Sequence, residues 1–196
     1  MYEYLSGNFT GLYPTHVIVD VQGVGYYLHI SLNTYSQIKG KSNGRLFVSF
    51  QVREDAHTLY GFASEEERRL FEYLISVSGI GPNTGRMILS SLSPDEIHAA
   101  IITGNVSILK SIKGIGPKTA QRMILELQDK LKKPGAVSET GLPGNIGINV
   151  ALEEASAALV LLGFGKAQVE KCLGNIAKTT PELSVEAMIK EALKRL

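Results

Sequence analysis

Apolar and polar residues alternate in three stretches near the N-terminus, "HVIVDVQ", "YYLHIS" and "RLFVSFQV". A period of two places one face of a β-strand against a core, and "GVG", "KGKSNG" and "REDA" supply turns between the stretches. With "SGNFTGLY" before them and "HTLYGF" after, the pattern predicts about five short strands from Met1 to Phe62. Five strands in roughly 60 residues escape the exposed-edge problem by closing into a small barrel, and the OB-type barrel is the expected form.

The period becomes helical at Ala63. Ser64 followed by "EEE" is an N-cap with acids in the first turn, and Leu70, Phe71, Leu74 and Ile75 form an apolar stripe. "SPDE" at Ser93 to Glu96 opens a further short helix that ends near Gly104, and the next carries Ile108, Leu109 and Ile112. Helices joined by glycine turns run on to Lys133. Residues 134–148 are rich in Pro and Gly and poor in large apolar side chains, which predicts a flexible linker. From Asn149 to Leu196 three helices are expected, separated by "GFG" and "KTTPELS", with Ser184 capping the last. The expected class is thus α+β multidomain: a barrel over 1–62, a helical domain over 63–133, a linker, and a three-helix bundle over 149–196.

One hexapeptide occurs twice, as "GIGPNT" from Gly79 and "GIGPKT" from Gly114. Aligning 74–89 with 109–124 also matches Leu and Ser ahead of the turn, so a whole helix-turn-helix unit is repeated. Gly79 and Gly114 can end a helix in the left-handed conformation. Ile80 and Ile115 suit a plug between the two helices, and Gly81 and Gly116 let another backbone approach. Pro82 and Pro117 fit the first turn of the following helix, whose unpaired amides suit a phosphate. Lys118, and more loosely Arg86 and Arg122, add charge on that side. For a single copy, a helical hairpin with no ligand is an equal reading; two copies favour two grips on one nucleic-acid backbone, contacts that carry no base sequence.

Charge sharpens this picture. The chain has 196 residues and a formal net charge of +1. Yet from Gly104 to Lys133 the basic residues are Lys110, Lys113, Lys118, Arg122, Lys130, Lys132 and Lys133, against only Glu126 and Asp129. Such a surplus is either a solvated helix face or the footprint of a polyanion. Neither copy has the Gly-Lys-Ser/Thr ending of a Walker loop or the third Gly of a dinucleotide fingerprint, so a nucleotide site is not expected. His16, His29, His57 and His98 lack metal-ligand spacing. No apolar run spans a bilayer, the N-terminus lacks signal-peptide regions, and Cys172 is alone, which together lead to the expectation of a soluble cytoplasmic protein.

The paired "SGIGPNTG" and "KGIGPKTA" resemble helix-hairpin-helix DNA-binding motifs. Together with the five-stranded unit, "VREDAHTLYGF", the Pro/Gly linker and the helical tail, they resemble the RuvA family over essentially the whole chain. The resemblance implies a homotetramer that holds a four-way Holliday junction open, one or two tetramers per junction. It also implies a C-terminal domain that docks on a hexameric AAA+ ATPase, and the junction-resolving endonuclease as a further partner. No cofactor is expected in this chain, ATP and Mg being used by the motor, and no membrane partner.

Carried over residue by residue, DNA contacts fall on Gly79, Ile80, Gly81, Pro82, Asn83, Arg86, Gly114, Ile115, Gly116, Pro117, Lys118 and Arg122. "REDA" matches the family's acidic pin and assigns Glu54 and Asp55 to it; read without the family, the two are ordinary turn residues or carboxylates that repel phosphate. Leu159, Leu162 and Phe164 are either motor contacts or core of the bundle. A repair enzyme, glycosylase or nuclease, that grips DNA with the same turns is the competing class. It fits less well because the helix after the second turn runs straight into the linker and Asp129 lies near that helix's end. A general single-strand-binding barrel would need a basic surplus that residues 1–62 lack.

Overall fold

A computed structural model describes residues 2–132, 146–179 and 183–196. Its first strands are β1 (Tyr4–Tyr13), β2 (His16–Val21), β3 (Val24–Ile30), β4 (Asn43–Val52) and β5 (His57–Phe62). They close into a barrel in the order β1-β2-β3-β5-β4, with β1 paired to both β2 and β4, and β3 parallel to β5. The alternation that predicts the strands is the reason the barrel fills: Val17, Val19, Leu28, Ile30, Leu46 and Val48 all point inward and are buried. The β2–β3 hairpin turns on Gln22 and Gly23, both at positive φ, the conformation whose twist matches the strands it joins.

Between β3 and β4 lies helix α1 (Leu32–Ile38), which alternation does not predict. Ser31 caps it by accepting from the Thr34 amide at 2.9 Å, and Thr34 and Ile38 are buried. Seven residues are too few for a helical period to stand out from turn residues, so its signal was only the cap.

The helices that follow are α2 (Glu65–Ser76), α3 (Pro82–Ser91), α4 (Pro94–Ile102), α5 (Val106–Lys110) and α6 (Pro117–Lys132). Ser64 and Ser93 cap α2 and α4, and Ser93 with Glu96 forms a complete capping box. One apolar core joins Leu70, Phe71 and Leu74 of α2 to Ile88, Ile97, Ile101, Leu109, Met123 and Leu127. Tyr60 and Phe62 of β5 belong to that core and not to the barrel's. The barrel and these helices thus form one compact unit.

A buried carboxylate holds the unit together. Glu67 is fully buried; its Oε1 accepts from Ser31 Oγ at 2.5 Å and its Oε2 from Thr34 Oγ1 at 2.7 Å. Thr34 Oγ1 accepts in turn from the Ala63 amide at 3.3 Å. The first turn of α2 is therefore bonded to the first turn of α1. Glu67 stands in the acidic first turn of α2 with Glu65 and Glu66, as the sequence reads, and is in addition the hydrogen-bonded acceptor between barrel and helices. Nearby, Arg68 pairs with Glu3 at 2.6 Å, and Leu32 N donates to Ser90 Oγ at 3.1 Å.

The second unit contains α7 (Ile146–Leu161), α8 (Lys166–Thr179) and α9 (Val185–Leu193), packed around Ala155, Leu159, Val169, Leu173, Ile176, Met188 and Ala192. Most of the linker expected over 134–148 lies outside the described residues, and α7 begins inside its expected end. Gly163, at φ +99°, ends α7, with Phe164 N donating to Leu159 O at 3.2 Å in a six-residue closing turn.

Glu67→Ala should lower the stability of the first unit by about 3 kcal/mol, since two buried hydroxyls lose their acceptor. All 8 tyrosines fall between Tyr2 and Tyr73, so urea unfolding followed by tyrosine fluorescence reports on this unit alone. A loss under about 0.5 kcal/mol, the range of ordinary surface substitutions, would mean that the link contributes nothing.

Candidate nucleic-acid interface

The two copies of the hexapeptide fold into the same turn, bond for bond. In the first, Ile80 N donates to Val77 O at 3.0 Å and Gly85 N to Gly81 O at 2.9 Å. In the second, Ile115 N donates to Ile112 O at 3.1 Å and Ala120 N to Gly116 O at 2.9 Å. Gly79 and Gly114 take φ +93° and +88°, a conformation that a side chain would strain. Ile80 and Ile115 are 4% and 5% exposed, so each plugs its hairpin and presents only backbone to the outside. Pro82 and Pro117 are the first residues of α3 and α6.

Gly81 and Gly116 have a different role. A Cβ built on either meets nothing within 4 Å, so the fold itself does not require glycine there. Gly81 stands at the N-cap of α3 with no side-chain cap bond. The amides of Asn83 and Thr84, and of Lys118 and Thr119, have no acceptor within their own helices. Amides without intrahelical acceptors at the positive end of a helix dipole, preceded by a glycine with open space at its Cβ position, suit an anion.

The surroundings of the two turns differ. Beside the first, Asn83 Oδ1 accepts from the Tyr60 hydroxyl at 3.3 Å, and Arg86 Nη1 donates to Thr15 O at 2.9 Å. Arg86 is thus tied to the β1–β2 turn of the barrel, a use that no local pattern announces. Beside the second, Lys118 is exposed. Arg122 Nη1 donates to Ser78 O at 3.2 Å, and its Nε lies 3.8 Å from Glu126 Oε1. Arg122 therefore connects the second hairpin's helix to the first hairpin's turn and brings the two sites onto one framework.

Glu54 and Asp55 sit exposed at the tip of the β4–β5 hairpin, which Arg53 N closes on Ala56 O at 2.9 Å. In the second unit the three expected contact residues separate. Leu159 is fully buried in the bundle core, the second of the two places its sequence left open, because helical spacing turns it inward. Phe164 packs partly against the same core. Leu162 is 62% exposed and is joined by Leu161 at 88%, a neighbour that sequence reading passed over. Among the described residues no group of His, Cys, Asp and Glu could hold a metal ion, and no helix is long and apolar enough to cross a membrane.

Comparison with known proteins follows the same division of the chain. The model of the RuvA N terminal domain matches residues 1–61, that of the SAM-like helix-hairpin-helix tandem 71–129, and that of the RuvA C-terminal domain 150–196. The Holliday junction branch migration complex subunit RuvA of Bacteroides fragilis is 50% identical over 202 residues, covering 100% of both chains. The proteins of the same name from Bacteroides thetaiotaomicron and Christiangramia forsetii are 50% and 45% identical, again over 100% of both chains. With barrel, tandem hairpins and C-terminal bundle each matched in order and relatives aligned from end to end, this chain belongs to the RuvA family.

Proposed function

We propose that this chain is a non-catalytic DNA-junction scaffold: it binds four-way Holliday junctions without regard to sequence, holds them open, and recruits a hexameric ATPase that drives branch migration. The observation that carries the reading is the pair of hairpin turns with the same bonds, the same left-handed glycine and the same open space before unpaired amides. Two such turns on one compact unit grip two stretches of backbone, which positions DNA and ignores its bases. The relatives' name, a subunit of a Holliday junction branch migration complex, supports the choice of DNA.

The remaining parts take roles within that reading. The barrel assembles four copies around the junction, in one tetramer or two. Glu54 and Asp55, exposed at a hairpin tip, repel phosphates at the centre and keep strands apart. Leu161 and Leu162 offer the second unit's apolar contact to the motor, which uses the ATP and Mg; the junction-resolving endonuclease is a further partner. The competing repair-enzyme reading fits less well, because Asp129 lies in the last turn of α6.

In competition at fixed salt, a four-way junction should displace the protein from a linear duplex of equal length; equal binding to both would reduce the chain to a general DNA binder. Gly81→Asp with Gly116→Asp is the sharper variant. An N-cap aspartate bonds the amides meant for phosphate and stabilises the helix, so folding is kept. Junction affinity should drop roughly tenfold or more, with the salt slope shallower by about 2 as two phosphate contacts vanish. Unchanged affinity and slope would refute the grip. Leu161→Glu with Leu162→Glu should leave junction binding intact and abolish stimulation of the motor; full stimulation would move the docking surface elsewhere.

A further inference from the structure

A row of aromatic rings crosses the outside of the barrel and ends at the first hairpin. Tyr13 is paired with His16, His16 with His29 and His29 with Tyr60, so the four lie side by side across β1, β2, β3 and β5. Their chain neighbours Val17 and Leu28 point into the barrel, which places the row on its outer face. Tyr27, on the same face, completes it. His16 is sandwiched between Tyr13 at 4.5 Å and 21° and Tyr27 at 4.6 Å and 17°. Tyr27 meets His29 edge-on at 5.1 Å, and His29 lies 5.6 Å from Tyr60. Burial, then Arg86 and His16, hold the His29 imidazolium below its ordinary pKa.

The two ends of the row differ. At the inner end the Tyr60 hydroxyl bonds Asn83 in the first hairpin turn, while Arg86 of the same helix reaches Thr15, in the turn between Tyr13 and His16. At the outer end the stack stops at Tyr13, which is 52% exposed and has no further ring beyond it among the described residues. Tyr27 is 48% exposed. Exposed tyrosines on a sheet ordinarily shelter their own strands. Here, near-parallel rings stand in a stack with one open end, on the β2–β3 face where barrels of this type bind oligonucleotides.

We propose that the Tyr13–His16–Tyr27 stack receives a nucleobase from an unpaired strand whose backbone the first hairpin holds. The proposal rests on the hairpins being DNA grips, because the barrel has no basic surplus with which to hold a strand alone. A base face extends a ring stack whatever its identity, so the added contact is blind to sequence and specific for unpaired DNA.

The test compares a fully paired four-way junction with one carrying a short single-stranded gap that contains 2-aminopurine. The wild-type protein should bind the gapped junction more tightly and quench the probe. Tyr13→Leu with Tyr27→Leu should lose about fivefold or more in affinity for the gapped junction, and the quench, while binding to the paired junction stays unchanged. Tyr13→Phe with Tyr27→Phe should retain both. Equal losses on the two DNAs, or no loss on either, would overturn the proposal. So would a changed sedimentation coefficient of the free leucine variant, which would assign this face to contacts between copies. The Gly81→Asp, Gly116→Asp variant separates the two readings: if it still binds the paired junction, the grip itself fails, whereas an inert leucine variant beside a non-binding aspartate variant removes the stack alone.

Discussion

The placement of both hairpin turns in the first unit depends on how the barrel is joined to the helices, and one buried carboxylate governs that join. Glu67 has no water to turn to, so its two oxygens must stay with the hydroxyls of Ser31 and Thr34. Both hydroxyls belong to the cap and first turn of α1, so the start of one helix is indexed to the start of another. Apolar contacts alone tolerate sliding, whereas a carboxylate with two fixed donors does not. Helix α2 leads directly into the first hairpin, so this index sets where that turn stands relative to the barrel.

The repeated turns then take different tasks from their surroundings. The first is bound to the barrel through Asn83 and Arg86, which makes it the fixed reference. The second carries an exposed Lys118 and lies in the basic segment; it is linked to the first by Arg122 bonding Ser78. The proposed grip needs a known spacing between its two holds more than strength at either one. Arg122, the shared α2–α6 core and the Glu67 link all maintain that spacing.

Much of this was legible along the chain wherever the signal lies within a few residues. Alternation located the strands, Ser64, Ser93 and Ser184 marked helix starts, and the doubled "GIGP" announced both turns with the conformation of each glycine. What escaped involves partners far apart in sequence. Glu67 looks like its neighbours Glu65 and Glu66 until Ser31 and Thr34 arrive from the barrel. Arg86 reads as free charge until Thr15 does. Leu159 and Leu162 share one apolar run, and only packing against Val169 and Met188 tells which of them is inside. Helix α1 was missed for the opposite reason, being too short for any periodicity.

The two glycines of each turn answer to different masters. Gly79 and Gly114 are demanded by backbone geometry, so any descendant that keeps the hairpin must keep them, whatever it binds. Gly81 and Gly116 have open space where a side chain would stand, so the fold does not demand glycine at either. A lineage that retained this architecture could drift at the second glycine while holding the first, so the pair works as a record: one position registers what the fold demands, the other what it leaves free.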